Sequence, residues 1–246
     1  MKLYNKITAV ALVVATLLIS LISCAPEVES YKATVKTSFA SNDAAMVDAI
    51  AAFEKSDVTL YVKGDDVMTQ TSTKVDDVQM DRTFVAIGGM LYNTTTVLVS
   101  GKSANEKQKA PFGTAQRAEI LAAIGAGVPL DKNDFNTVTE SSIQSMTSYT
   151  CSNIKDDAKA SLVSFFSAKL SSIGGTASLV DAEYYVETSK SKTQSYILNA
   201  RFEITVNGNT YGINMTVECD YDYNAKVNIS APSGNYTEVT YKDIIG

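Results

Sequence analysis

Two adjacent residues near the C-terminal end, Asn207-Gly208, constrain the fold more than any other feature of the chain. Asn-Gly suits a type I′ turn, because both central residues take positive φ there and these two side chains tolerate it best. Leu198, Ala200, Phe202, Ile204 and Val206 alternate with polar residues before the turn. Tyr211, Ile213, Met215, Val217 and Cys219 alternate after it. A period of two is the repeat of a half-buried strand. A two-residue turn pairs 204 with 211, 202 with 213, 200 with 215 and 198 with 217. Both apolar sets then share a face, which a slip of one residue would undo.

The same pattern recurs upstream. Tyr31 to Phe39 alternates as a first strand, and Val58, Leu60 and Val62 alternate with Thr59, Tyr61 and Lys63. Lys63-Gly64-Asp65-Asp66 turns the chain, and Val67 to Val75 returns. Val85 and Ile87 lead into Gly88-Gly89 and Met90 and Tyr92 lead out, so 87 faces 90 and 85 faces 92. Val97 and Val99 continue the meander. Asn42 or Asp43 caps a short helix through Met46, Val47, Ile50 and Phe53.

The middle changes character. Ser103 to Pro111 reads as a polar loop, Thr114 to Ile124 as a helix, and Phe135 to Ile154 as one long exposed strand. Asp156 or Asp157 caps a helix whose apolar stripe is Ala158, Leu162, Phe165, Phe166, Leu170 and Ile173. Val227 and Ile229 open a further strand, and Tyr236 to Ile244 closes the chain. About 9–11 antiparallel strands with two or three helices indicate one α+β domain.

Absences narrow the chemistry. The chain has no histidine, which removes the usual neutral-pH base and the commonest transition-metal ligand. Gly88-Gly89 and Gly174-Gly175 lack the spacing and lysine of a phosphate loop. No cofactor, metal site or catalytic residue is expected, and a carboxylate-dependent hydrolase is the enzyme class left.

The N-terminus carries the most specific chemistry. Lys2 and Lys6 precede an apolar run from Ile7 to Ile22. At 1.5 Å per residue that run spans about 24 Å as a helix, short for a hydrocarbon core of ~30 Å, so it reads as a signal peptide over 1–23. Leu21-Ile22-Ser23-Cys24 resembles the lipobox of bacterial lipoproteins. That resemblance implies cleavage before Cys24, acylation of its thiol with palmitate-type chains, and a short tether over 24–30. Ala25 follows the cysteine where an aspartate would imply inner-membrane retention. The outer membrane facing the periplasm, or the cell surface, is therefore expected. Without residues 1–23, 19 basic residues stand against 27 acidic, a balance of −8. No cationic footprint for nucleic acid exists.

Three further features carry a second resemblance: the lipobox and tether, the meander from Ser56 to Asp65 with the segment Ala86 to Tyr92, and the ending from Ile229 to Ile244. Together they resemble the LolA/LppX/LprG-like periplasmic carriers and lipoproteins. The resemblance implies that residues 31–246 form a strongly curved antiparallel half-barrel covered by helices, with an apolar cavity for acyl chains. Leu60, Val62, Val85, Ile87, Met90, Phe202, Ile204, Ile213 and Met215 would line the concave face, and Leu162, Phe165 and Phe166 would cover it. The same residues could equally fill a core. Export also makes a disulfide between Cys151 and Cys219 an expectation.

Two functions follow. One is a non-enzymatic carrier of a lipid or other amphiphile. The other is a structural or surface-exposed lipoprotein that binds an envelope protein, for which the 13 tyrosines would supply contact area.

Overall fold

The computed structural model describes residues 30–43, 57–75, 77–123, 130–160, 162–163, 175–206 and 208–245. Among them the architecture is mostly β, a largely antiparallel sheet with short helices. The twelve strands are β1 (Ser30–Ala40), β2 (Asp57–Lys63), β3 (Asp66–Val75), β4 (Val78–Ile87), β5 (Met90–Val99), β6 (Lys102–Pro111), β7 (Phe135–Ile143), β8 (Met146–Ile154), β9 (Gly175–Ser189), β10 (Lys192–Val206), β11 (Asn209–Asp222) and β12 (Thr237–Glu238). Helix α1 spans Thr114–Ala123, residues 156–160 and 162–163 are helical (α2), and α3 spans Tyr241–Ile245.

All twelve strands join one sheet in the order β12-β6-β5-β4-β3-β2-β1-β11-β10-β9-β8-β7. Two meanders, β1 to β6 and β7 to β11, are sewn together where β1 pairs β11 on one side and β2 on the other. Only the short β12 runs parallel, beside β6.

The turn chemistry fixes register as expected. Ile204 faces Tyr211, Phe202 faces Ile213, Ala200 faces Met215 and Leu198 faces Val217. At Gly88-Gly89, with φ of 55° and 76°, Ile87 faces Met90 and Val85 faces Tyr92. Burial alternates along β10 and β11, with Tyr196 to Ile204 and Ile213 to Tyr221 sending every second side chain into the core. Phe84, Phe202, Leu60, Leu91, Ile120 and Leu162 are the largest fully buried side chains.

Four expectations change. Residues 103–111 are not a loop but most of β6, a polar strand exposed along most of its length and paired to β5. Such a strand sits near the sheet edge, where little needs burying and no apolar alternation marks it. Residues 135–154 form two strands rather than one, folding back at Gln144-Ser145 so that Ile143 faces Met146. The segment 225–236 contains no strand, and the last residues give β12 and then helix α3. The strand count is therefore twelve, above the expected nine to eleven. The short helix expected after Asp43, the expected covering residues Phe165 and Phe166, and Cys24 lie outside the described residues.

Candidate functional site

The register divides the expected lining residues into two sets. Leu60, Phe202, Ile204, Ile213, Met215 and Leu162 are buried in the main core, with Val62 packed against it. Val85, Ile87 and Met90 are not on that face. Leu60 faces Thr69 and Thr69 faces Phe84, so Phe84 and Ala86 point the same way as Leu60 and Val62 while Val85 points oppositely. Val85 is nevertheless buried. On its face Tyr92 meets the ring of Tyr236 edge-on at 5.3 Å, and Tyr236 shares a 3.0 Å hydrogen bond with Thr94. Tyr236 thus packs on the reverse side of β5.

Cys151 and Cys219 are free and buried, which overturns the expected disulfide. Cys151 lies on β8 opposite Tyr184 of β9, and Cys219 lies on β11 opposite Tyr196 of β10. Two strands separate them, so their backbones stand about 14 Å apart at the usual interstrand spacing. A disulfide requires Cα atoms within roughly 7 Å. Burial pushes the Cys219 thiol up to about 12 and raises that of Cys151. Both thiols are held protonated and unreactive.

Around them runs a ladder of rings. Phe135 stacks on Tyr184 at 5.8 Å, Tyr184 meets Tyr196 at 5.5 Å, Tyr196 meets Tyr221 at 6.4 Å, and Tyr221 meets Tyr31 at 5.6 Å. Tyr223 continues it, stacked on Tyr221 at 6.0 Å and donating to the Thr193 carbonyl at 2.6 Å. Burial pushes the Tyr221 hydroxyl far above its ordinary value and that of Tyr223 up to about 12.

One end of the ladder opens into a cleft of about 520 Å³. Tyr184 and Val186 of β9 and Tyr149 of β8 give it an apolar wall, the segment Leu130–Lys132 closes one side, and Lys190-Ser191 forms a lip. Asp131 and Asp134 cap the short 3₁₀ turn Lys132–Asp134. Asp131 accepts from the Asn133 amide at 2.8 Å, and Asp134 accepts from the Asp131 amide at 2.7 Å. That cap fixes Lys132, whose ammonium sits 3.9 Å from the centre of the Tyr149 ring. The lip is the two-residue turn of the β9–β10 hairpin, with Lys190 at φ 50° and Ser191 at φ 63°. Glycine occupies such positions at Gly64, Gly88, Gly89 and Gly208, whereas Ser100 and Gln144 take them in two other hairpins of this sheet.

A second polar cluster lies on the inner face of β4–β6. The Arg82 guanidinium lies over the Phe84 ring at 4.3 Å and donates to Asn93 Oδ1 and to the Ile244 carbonyl of α3, both at 3.1 Å. Asn93 donates to Gln108 Oε1 at 3.2 Å, and Gln108 donates to Glu106 at 2.9 Å. Burial lowers the pKa of Arg82, and the charge of Glu106 opposes that shift. This string anchors the C-terminal helix. No cluster of three or more metal-ligating side chains occurs among the described residues.

The residues that line the cleft were not singled out by the sequence, because hairpin tips and a turn some 60 residues apart bring them together.

No family model and no curated protein matches the chain. Among solved structures it is similar to the dehydratase domain from the CurF module of the curacin polyketide synthase, at 5% identity and a TM-score of 0.17 over 78% of this chain and 76% of that one. The dehydratase domain of PpsC from Mycobacterium tuberculosis gives 11% identity and 0.17 over 87% and 82%. The 12:0-ACP thioesterase from Umbellularia californica gives 7% and 0.13 over 78% and 74%. Likenesses of this size carry no argument about fold or activity.

Proposed function

We propose that this chain is a lipid-anchored, non-enzymatic binding protein of a bacterial cell envelope that takes an amphiphile into an apolar cavity. The observation that supports it best is the cleft of about 520 Å³, which falls within the usual size range of ligand pockets and joins an aromatic wall to a polar rim. Acylated Cys24 would hold the domain at the outer membrane or cell surface, and the tether over 24–30 would keep it close to the lipid that it samples. In this reading the sheet is strongly curved into a half-barrel, as in the LolA/LppX/LprG-like carriers, with the helices over its concave face. The cavity is displaced from the place the sequence pointed to. Leu60, Phe202, Ile213 and Met215 pack the core, and the ligand lies nearer the β8–β10 hairpin tips. The absence of histidine favours binding over acid–base chemistry.

The test is native mass spectrometry of the full chain purified without detergent, followed by organic extraction and titration with a fluorescent fatty acid. A co-purifying amphiphile and saturable uptake are expected. Absence of both overturns the reading.

A second reading, a lipoprotein that docks another envelope protein, is favoured by β7. This strand lies at the sheet edge, and all its residues after Phe135 are exposed. Edge strands of this kind pair readily with a partner chain. Cross-linking in intact cells from a photoreactive residue at position 138 would capture that partner, whereas the amphiphile reading expects no specific product.

A further inference from the structure

We infer that the cleft selects its ligand by a compact anionic group, a carboxylate or phosphate, held between Lys132 and Lys190, while an apolar tail lies along Tyr149, Tyr184 and Val186. The inference rests on the amphiphile reading above and adds the chemistry of the head.

The charge of the cleft is the first ground. Its charged lining residues are Lys132, Lys190 and Asp131. Asp131 is committed to the cap of the 3₁₀ turn through the Asn133 amide. Neither lysine has an ion-pair partner among the described residues, since the three ion pairs there involve Lys109, Arg117 and Lys242. A third lysine, Lys192, stands next to the lip with its ammonium 5.1 Å from the Tyr223 ring. In a chain of net charge −6, a site with two ammonium groups against the single carboxylate of Asp131 is a local inversion of sign. It attracts anions that the rest of the surface repels.

The second ground is how the lysines are held. The ammonium of Lys132 lies against the Tyr149 ring, which holds it at the cleft wall while leaving its hydrogen-bond donors for a ligand. Lys190 is placed by a left-handed backbone conformation that lysine adopts at a cost and glycine adopts freely. The turn thus places the lysine side chain at the cleft mouth.

The lining favours a tailed anion over a bare one. Leu130, Tyr184 and Val186 are buried side chains forming an apolar wall beside the lysines. A free phosphate would leave that wall wet, whereas a tailed anion covers it.

The experiment is a competition titration on the full-length chain with a fluorescent fatty acid as reporter. The competitors are an unlabelled fatty acid, its methyl ester, an alkyl phosphate of equal chain length and inorganic phosphate. Charge-assisted hydrogen bonds from two lysines lead us to expect the acid and the alkyl phosphate to compete about tenfold better than the ester. The preference should shrink as salt rises. In the Lys132→Met, Lys190→Asn double variant the acid should fall to the level of the ester in the wild-type chain. Asparagine is tolerated at positive φ, so the turn survives, and an unchanged urea midpoint would verify this. Lys102→Met, on the far strand β6, serves as the charge control and should keep the preference.

Equal competition by acid and ester overturns the anion inference and leaves the amphiphile reading standing. So does a preference that survives in the double variant. No competition by any tailed molecule overturns both. Inorganic phosphate competing as well as the alkyl phosphate would leave an anion site but overturn the amphiphile reading.

Discussion

On the inner face of β9–β11 the buried side chains are Leu179, Tyr184, Leu198, Phe202, Met215 and their neighbours, whereas the inner face of β3–β6 sets Thr69, Arg82, Asn93 and Gln108 among the apolar Phe84, Ala86 and Leu91. Both faces belong to one continuous sheet and both point at the same interior. The first is held by area, since burying an apolar side chain stabilises by about 1.5–3 kcal/mol without regard to direction. The second adds to such area a string of directed bonds from Arg82 to Asn93 and on to Gln108. The two halves also close their edges differently. The β6 edge is covered by β12 and by the ion pair of Lys109 with Glu238, while β7 has no strand beyond it among the described residues. An apolar half tolerates an open edge and a cleft, because its stability does not depend on any one bond. The polar half needs its clasp.

The largest expected effect separates the halves by alkali. The Cys219 thiol is raised from 9.0 to about 12, and the Tyr223 hydroxyl from 10.0 to about 12, both chiefly by burial, with Tyr221 raised further. A group whose pKa is raised on folding contributes stability that is complete below its unfolded value and lost as pH rises through its folded value. The β9–β11 half should therefore weaken from about pH 9 and fail near pH 12. Tyrosinate absorbance and far-ultraviolet circular dichroism followed together should show late tyrosines ionising as the sheet signal collapses. A single tyrosine step near pH 10 with the sheet intact would contradict the ladder.

Next in size is truncation within the apolar half. Phe202 is 0% exposed, so Phe202→Ala should cost about 3–5 kcal/mol in urea unfolding. Ile143, 73% exposed at the tip of the β7–β8 hairpin, should lose less than about 0.5 kcal/mol on the same truncation. In the polar half a smaller side chain should matter nearly as much. Asn93→Ala removes an acceptor from the half-buried Arg82 and a donor from Gln108, for a loss of about 2 kcal/mol. Adding Arg82→Met removes the stranded charge and should recover part of that loss, a coupling that a double-mutant cycle would measure. Additive losses would mean that the string is not a unit.

The contrast also explains what the sequence disclosed. The registers at Asn207-Gly208 and Gly88-Gly89 were legible because a two-residue turn with positive φ leaves one pairing. The inward face of β10 and β11 was legible because every inward residue there is apolar. In β4 that logic failed. Phe84, Val85 and Ala86 are all buried, and Arg82 lies on the inward side, so alternation pointed to Val85 and Ile87 instead. Residues 102–111 were unreadable as a strand because an edge in the polar half carries no apolar period. The hairpin at Gln144-Ser145, like the one at Lys190-Ser191, has no glycine to mark its turn in the sequence. The cleft was hidden for a different cause, since its lysines and tyrosines are ordinary surface and core residues until the fold brings them together.

The smallest expected effect concerns the clasp of the polar half. Hydrogen bonds from Lys242 and Tyr241 hold the Glu119 carboxyl below its ordinary 4.5, Lys109 does the same for Glu238, and Thr240 lowers Asp243 from 3.8. A lowered carboxyl contributes stability present above the unfolded value and lost as pH falls through the folded one. These contributions should therefore disappear below about pH 4. All three groups are exposed, so solvent screens them and the global unfolding free energy should change little. Arg82 remains charged in acid and still donates to the Ile244 carbonyl. Acid should thus free β12 and the start of α3 before it frees residue 244. Amide hydrogen exchange at pH 3, corrected for intrinsic rates, should show Val239 and Asp243 opening faster relative to pH 6 while the β10–β11 amides keep their protection. These two amides are the ones that donate to Lys109 and Thr240. Equal acceleration in both halves would show that the clasp and the apolar half open as one unit, and the distinction between them would fall.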